Sequence, residues 1–509
     1  MTFRHSSGRL RSRLASTYSA FVMFLASAAI LALLVGLLLW PSGESDDGQP
    51  QTLFVYYAAG LRVPMEAVVR DYEQAYGVSI QLQAAGSNTL LGNIQVAQRG
   101  DLFVPADDYY VHLAQKKNLI DEVIPLAEIT PVIAVRKGNP KGIHSLEQLC
   151  SGQYRLVLAD PDTAAIGHAT REALPVQQWE QLKKAARNTT TVIEVANAIK
   201  VGSADAGIVW DGTISQYPDL EMVISPELSK KKAKVSVTVL KYCTQPAAAL
   251  AFARYLAASD KGLLQFKKAG YTPLEGDVWA AKPDIKLFAG AMLQPAIKQT
   301  IKDFEKREGV TVTTGYNGCG ILVAQMKAGA KPDAYFACEK SFMTQVHDLF
   351  LEPVDISSNN LVVVVQKGNP KDIKTFADLG KPGVRVGVGH EQQCALGAIT
   401  QEALKATGNQ AQVMKNVKVR VPTGDMLINE LKTGSLDAVI AYVSNAAGLD
   451  YVEAYRVENC PNAVAVQPMA IGKESQFKQL SGRLMSAIRS AQSRERFLEY
   501  GFRWQDNPP

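Results

Sequence analysis

Two kinds of residue in this 509-residue sequence are placed to do chemistry. The first is a short polar turn, Gly86-Ser87-Asn88-Thr89, where an extended segment gives way to a helical pattern. A serine there offers its hydroxyl and neighbouring amides in one place, and a helix N-terminus adds a favourable dipole, so the turn suits an anion. It suits equally the plain work of an N-cap, and the two roles are compatible. The second kind is sulfur: Cys150, Cys243, Cys319, Cys338, Cys394 and Cys460, four of them in the second half. No two make a CxxC pair, so spacing alone gives no metal signature. His390, four residues before Cys394, could add a ligand or act as base to a thiol nucleophile, but no third orienting residue accompanies them. Gly387-Val388-Gly389 lacks the third glycine of a dinucleotide loop, and no glycine-rich loop ending Gly-Lys-Ser or Gly-Lys-Thr follows a strand. A binding protein is expected, with no enzymatic activity and no cofactor.

The elements that must position these residues come in two sets. Lys137-Gly138-Asn139-Pro140-Lys141 recurs as Lys367-Gly368-Asn369-Pro370-Lys371, each after an apolar run. Glu172-Ala173-Leu174 recurs as Glu402-Ala403-Leu404, and Asp205-Ala206 as Asp437-Ala438. Leu53-Phe54-Val55 matches Leu287-Phe288-Ala289, and Tyr76-Gly77-Val78 matches Glu308-Gly309-Val310. Order and spacing are shared at five places, so the chain is a duplication. Its period is far beyond the roughly 20–50 residues of solenoid repeats, and each copy is a full domain. Within copy one, Leu53–Tyr57 reads as strand and Val63–Tyr76 as helix. Ser79–Gln83 is extended, Thr89–Gln98 helical and Asp101–Val104 strand. That alternation predicts a parallel sheet with covering helices, whose ligands sit beyond the strands' carboxyl ends. The boundary between copies falls near Leu274–Lys286.

Composition agrees. Hydrophobic residues make up 47% and charged residues 20%, an ordinary globular balance, and a net charge of +5 without a basic cluster excludes a nucleic-acid binder. Arg4, Arg9, Arg11 and Arg13 precede an uncharged stretch from Phe21 to Trp40, long enough at roughly 30 Å to span a bilayer. The arginines would stay cytoplasmic and send the remainder outward. The run ends Leu-Leu-Leu-Trp-Pro without a small-x-small cleavage site, which favours an uncleaved anchor over a signal peptide. The expected order is a basic N-terminus over 1–20, a transmembrane helix over 21–40, a tether over 41–50, and the two repeated domains over 51–280 and 281–509. Both domains would lie in the periplasm or extracytoplasmic space, where disulfides are permitted.

An ordered series in copy one resembles the periplasmic molybdate-binding family of type II solute-binding proteins. It runs Tyr57-Ala58-Ala59-Gly60-Leu61, Ala85-Gly86-Ser87-Asn88-Thr89-Leu90 and Gly100-Asp101-Leu102-Phe103-Val104-Pro105-Ala106-Asp107. Asp160-Pro161 leading to Ile166-Gly167, and Ala206-Gly207-Ile208-Val209-Trp210, complete it. The resemblance covers both copies and implies an α/β fold. Each copy would be a two-lobed domain of doubly wound, mostly parallel sheets joined by a hinge and closing on a tetrahedral oxyanion. It implies capture of a molybdate- or tungstate-like anion for a separate ABC-type permease and ATPase, or a periplasmic sensor or scavenger as the alternative. By the same resemblance Gly60, Ser87, Ile166, Val195 and Trp210 face the ligand in copy one. Gly60 stands where the family usually has a hydroxyl and Trp210 where it has a tyrosine, two hydroxyls fewer. In copy two the matching positions are Met292 for Gly60, Cys319 for Ser87, Cys338 for Ala106, Cys394 for Ala164 and Tyr442 for Trp210. Three cysteines and a methionine in one cleft could be small buried residues, a Cys319–Cys394 disulfide locking the lobes, or a soft-donor site (Cys319, Cys338, Cys394) for a thiophilic metal.

Overall fold

The computed structural model describes residues 52–457 and 460–505. The expected basic terminus, membrane span and tether lie outside them. Among the described residues no helix is long and apolar enough to cross a membrane.

Copy one begins with strand Thr52–Ala58, whose Leu53 and Val55 are fully buried. Helix Arg62–Tyr76 follows and ends on Gly77 at φ +67°. The equivalent helix in copy two, Gln294–Glu308, ends on Gly309 at φ +66°. The repeated Tyr-Gly-Val and Glu-Gly-Val segments are therefore left-handed helix caps that favour glycine. The Lys-Gly-Asn-Pro-Lys repeat is likewise architectural. Asn139 and Asn369 sit at φ +41° and +39°, and their side chains bracket the backbone of Ile143 and Ile373.

Each copy divides into two lobes. Lobe A of copy one is a six-stranded sheet ordered 272–273, 120–129, 233–240, 102–104, 52–58, 79–85. Lobe B is five-stranded, ordered 186–189, 156–159, 206–210, 131–136, 220–223. The expectation of mostly parallel sheets is corrected here. Strands 52–58, 79–85 and 102–104 run parallel, but Ala233–Leu240 is antiparallel to both its neighbours, and Pro131–Arg136 to both of its own. Those strands belong to the two crossings between lobes. A chain that leaves one sheet and later returns must run against the strands it left, so the sheets are mixed.

Copy two repeats the plan with one difference. Where copy one breaks at Thr130 between Ile120–Ile129 and Pro131–Arg136, copy two runs a single strand, Val354–Gln366, through both lobes. Its first half pairs with Val464–Ile471 and its second with Ala438–Tyr442 and Val452–Arg456.

The copies meet through their A lobes. Glu308, 2% exposed, receives Arg254 of copy one at 2.8 Å and Arg483 at 2.6 Å. Arg307 grips Glu122 and, at 3.1 Å, Asp121. Asp277, in the linker, accepts the amides of Gln479 and Leu480 at 2.8 and 2.9 Å and so caps the helix Lys478–Ile488. A buried carboxylate between two guanidiniums stabilises only while both partners stay.

Candidate functional site

In copy one, three helices of nine to eleven residues begin at one point between the lobes. They are Ser87–Ala97 from lobe A, and Ala165–Ala173 and Val192–Lys200 from lobe B. Their first residues, with Ala58, Ala59, Gly60, Ala85, Gly86, Ala106, Ala164, Thr191 and Trp210, line a single cavity. First-turn amides have no partner inside their own helix, and each N-terminus carries about half a positive charge. Three of them facing one hollow make it attractive to an anion, although no basic side chain lines it.

Ser87 is 1% exposed, and its Oγ accepts the Ala106 amide at 3.2 Å. The hydroxyl thus ties the helix start to the end of strand Leu102–Val104 while lining the cavity. Gly60, Ile166 and Trp210 also line it. Val195 does not. It is fully buried one turn along its helix, with Cγ1 2.6 Å from where a side chain at Gly207 would begin. Val195 packs on the lobe B sheet, and the residues at the cavity are Thr191 and Val192. The sequence held a signal for this: Thr191 is three residues before Glu194, its side chain accepts the Glu194 amide, and the helix therefore starts at Val192. A residue at the helix start faces the cleft, and one three positions later lies a turn deeper. Val192 also accounts for Gly60, because a Cβ there would meet Val192 Cγ1 at 2.9 Å.

The lobes are shut. Asn88 of lobe A donates its amide to Thr163 O at 3.2 Å and its side-chain NH₂ to Asp162 O at 2.7 Å in lobe B. Gly86 permits the approach, since a Cβ there would fall 2.3 Å from Thr163 O and 3.0 Å from Thr190 O. At another point of the seam Tyr109 of lobe A stacks on His168 of lobe B, centroids 3.8 Å apart and planes at 22°. His168 is buried and its Nδ1 finds no hydrogen-bond partner among the described residues. Burial, then the Arg171 charge, lowers its pKa. The neighbouring Asp107 caps helix Asp108–Lys116, and burial pushes its pKa up to about 6. The closed cavity measures about 20 Å³, room for about one water, so a tetrahedral oxyanion enters only when the lobes part. Larger hollows of about 380 and 530 Å³ lie on the far side of copy two's lobe A and between the copies, rimmed by charged side chains, most of them paired with one another.

Copy two keeps the seam and changes the lining. Gly320 donates its amide to Gln393 O at 3.0 Å, and a Cβ at Gly318 would lie 2.5 Å from Gln393 O and Pro422 O. Tyr109 and His168 are replaced by Ser341 and Ala398, so the ring stack is absent. Cys319 Sγ accepts the Cys338 amide at 3.0 Å, the same bond that Ser87 makes. Both sulfurs crowd the point where a side chain at Gly290 would begin, at 3.1 and 2.1 Å. Burial opposes a Cys319 thiolate, but hydrogen bonds from the Cys338 thiol and amide outweigh it and lower the Cys319 pKa. The same thiol contact, then burial, drives Cys338 up. Cys394 turns the other way: its Sγ reaches Val421 O at 3.8 Å within lobe B, and burial raises its pKa to about 11. Met292 is buried in a short 3₁₀ turn, and Tyr442 is 2% exposed with no partner for its hydroxyl among the described residues.

Two of the sequence expectations are corrected by this arrangement. All six cysteines are free, so Cys319 and Cys394 are not bridged; each sulfur is engaged within its own lobe. Among the described residues no three of His, Cys, Asp and Glu are grouped to hold a metal ion, and Cys319, Cys338 and Cys394 do not form a three-thiol set. His390 Nδ1 accepts the Gln392 amide at 3.3 Å and is spent on its own turn.

Comparison with known proteins agrees with the duplication. The family model described as bacterial extracellular solute-binding protein matches residues 53–272 and again 285–503. Molybdate-binding protein ModA of Mycobacterium tuberculosis is 30% identical over 223 residues, 43% of this chain and 84% of its own length. ModA of Escherichia coli is 26% identical over 237 residues, 45% of this chain and 90% of its own. Among solved structures, the Azotobacter vinelandii periplasmic molybdate-binding protein aligns over 44% of this chain and all of its own, at 15% identity and TM-score 0.39. The two matched segments take in nearly all of both copies, and the chain belongs to the bacterial extracellular solute-binding protein family as a tandem duplication.

Proposed function

We propose that the chain is a membrane-anchored extracytoplasmic protein that captures a small tetrahedral oxyanion, of the molybdate or tungstate kind, in copy one and presents it to a separate ABC-type importer. One observation carries this reading: three helix N-termini and the Ser87 hydroxyl meet at a cavity between two lobes that close on each other. Such a site holds an anion by oriented amides and dipoles without a counter-ion. The relatives named for molybdate supply the ligand class. Gly60, Ile166, Thr191 and Val192 would contribute backbone groups, and Trp210 its indole N–H. The span over 21–40 would keep the domains at the membrane.

Thermal unfolding of the full chain in detergent, followed against molybdate, tungstate, sulfate and phosphate, tests it. A ligand at a hundredfold excess over its Kd adds about 2.7 kcal/mol to the native state, a plainly visible shift. Stabilisation by a group VI oxyanion that is lost in Ser87→Ala supports the reading. Absence of any oxyanion effect rejects it.

A further inference from the structure

We propose that copy two's cleft is a binding site for a trivalent thiophilic oxyacid of the arsenite class, held through Cys319 and Cys338. This site stands apart from oxyanion capture by copy one.

The positions come first. Ser87 and Ala106 both line the copy-one cavity, and their counterparts in copy two are Cys319 and Cys338. Two residues that face a ligand cleft have both become thiols. They are also adjacent: Cys338 N–H donates to Cys319 Sγ at 3.0 Å, and both sulfurs lie within 3.1 Å of the space above Gly290. A dithiol this close chelates a single soft centre.

The second observation is polar. The hydroxyl of Tyr442, 2% exposed, has no hydrogen-bond partner among the described residues, whereas that of Tyr335, fully buried, is turned to the Cys319 sulfur. A buried hydroxyl left unpaired is costly, and Tyr442 lies beside the thiol pair, whose charge would oppose its ionisation after burial has done so. A bare soft cation would satisfy the sulfurs and leave the Tyr442 hydroxyl idle. A centre that binds two sulfurs and keeps an oxygen gives that hydroxyl a partner. Zinc is a poor fit, since its structural sites want four ligands and, among the described residues, no third Cys, His or carboxylate joins the pair.

The step balances without electron transfer. Arsenous acid, As(OH)₃, meets two thiols; two As–OH bonds break and two As–S bonds form. The thiol protons leave with the two hydroxyls as two waters, and arsenic stays trivalent. Cys319, the more acidic thiol, attacks first, and Cys338 closes the ring. The remaining As–OH lies where the Tyr442 hydroxyl can hydrogen-bond it. Entry requires parting of the Gly320–Gln393 seam.

The test uses the full chain, reduced, desalted and exposed to sodium arsenite, with native mass spectrometry counting arsenic per chain. One arsenic with loss of two waters is expected. Cys319→Ser and Cys338→Ser should each abolish it, whereas Cys150→Ser and Cys243→Ser should not. Serine already occupies the first position in copy one, so the Cys319 variant suits the fold. In the wild type, arsenite should also protect Cys319 and Cys338, and not Cys150, from iodoacetamide, a readout that needs no variant. Tyr442→Phe should release arsenic several-fold faster. No arsenic on the reduced wild type, an adduct surviving in either serine variant, or no protection of the pair overturns the proposal. Molybdate stabilisation is a separate signal in the same protein, so either assignment can fail alone.

Discussion

Substituting Gly86→Ala should hold copy one open. The glycine has φ −66° and ψ 146°, a conformation alanine adopts freely, so neither lobe is strained by the change. The whole effect falls on closure, because the new Cβ would stand 2.3 Å from Thr163 O across the seam. Relieving that contact separates Asn88 from Thr163 O and Asp162 O, two hydrogen bonds worth about 0.5–1.5 kcal/mol each. Closure therefore weakens by about 1–3 kcal/mol, or about 5- to 150-fold in the closed-to-open ratio. Amide hydrogen exchange reads this directly. The Asn88 amide should exchange faster by that factor, while the Leu90 amide, bonded to Gly86 O inside its own helix, should not change. Oxyanion affinity should fall in parallel, since only the closed form completes the site. Unchanged Asn88 exchange, or equal acceleration at Leu90, would show that the glycine serves local folding and that the seam argument is wrong.

Four further outcomes follow from the same geometry. Gly60→Ser alone should cost about 1–3 kcal/mol by meeting Val192 Cγ1, and Gly60→Ser with Val192→Gly should recover most of it, both read from thermal unfolding. Glu308→Ala leaves Arg254 and Arg483 buried without their carboxylate, and should lower stability by about 3–5 kcal/mol by calorimetry. Burial opposes the Glu308 charge, but the two arginines outweigh it and hold its pKa below the ordinary value. Its contribution is therefore complete above the unfolded glutamate value of about 4.3 and disappears as pH falls through the lower folded value, so acid unfolding should be shallower in the variant. His168 behaves differently. Its folded pKa lies below the free value of about 6.5, so its share of closure is full above that pH and is lost as pH drops beneath it. Asp107, raised to about 6, contributes with the opposite sign, so the wild type minus His168→Phe isolates the histidine. The Asn88 protection factor, with the intrinsic pH dependence of exchange divided out, should fall in mild acid in the wild type more than in His168→Phe, which keeps a ring against Tyr109.

The duplication and the first βαβαβ run of copy one were legible because repeats and hydrophobic period are local properties of a sequence. Strand 52–58 and helix 62–76 fall within a residue of their expected starts. The direction of the crossing strands was not legible, since Ala233–Leu240 shows no local mark of the neighbours it runs against. At the site, Ser87 and Gly60 carry recognisable turns, but Val195 and Val192 are both apolar residues of one helix, and only the exact helix start separates them. The sulfur arrangement turned on side-chain direction: Cys394 and Cys319 sit at comparable helix starts, yet one thiol points into its lobe and the other toward Cys338. The inter-copy ion pairs join residues as distant as Glu122 and Arg307, and nothing in either neighbourhood announces the other.

The weld between the A lobes has a mechanical consequence. The strands nearest the two ends, Thr52–Ala58 and Arg503–Trp504, both belong to A-lobe sheets. A pull applied through those ends loads that common chassis and bypasses both B lobes. Each B lobe hangs from it like a door from a shared frame, so that movement of one need not shear the other. Were the chain held on the N-terminal side of Thr52, tension would run through the A lobes and leave both B lobes unloaded.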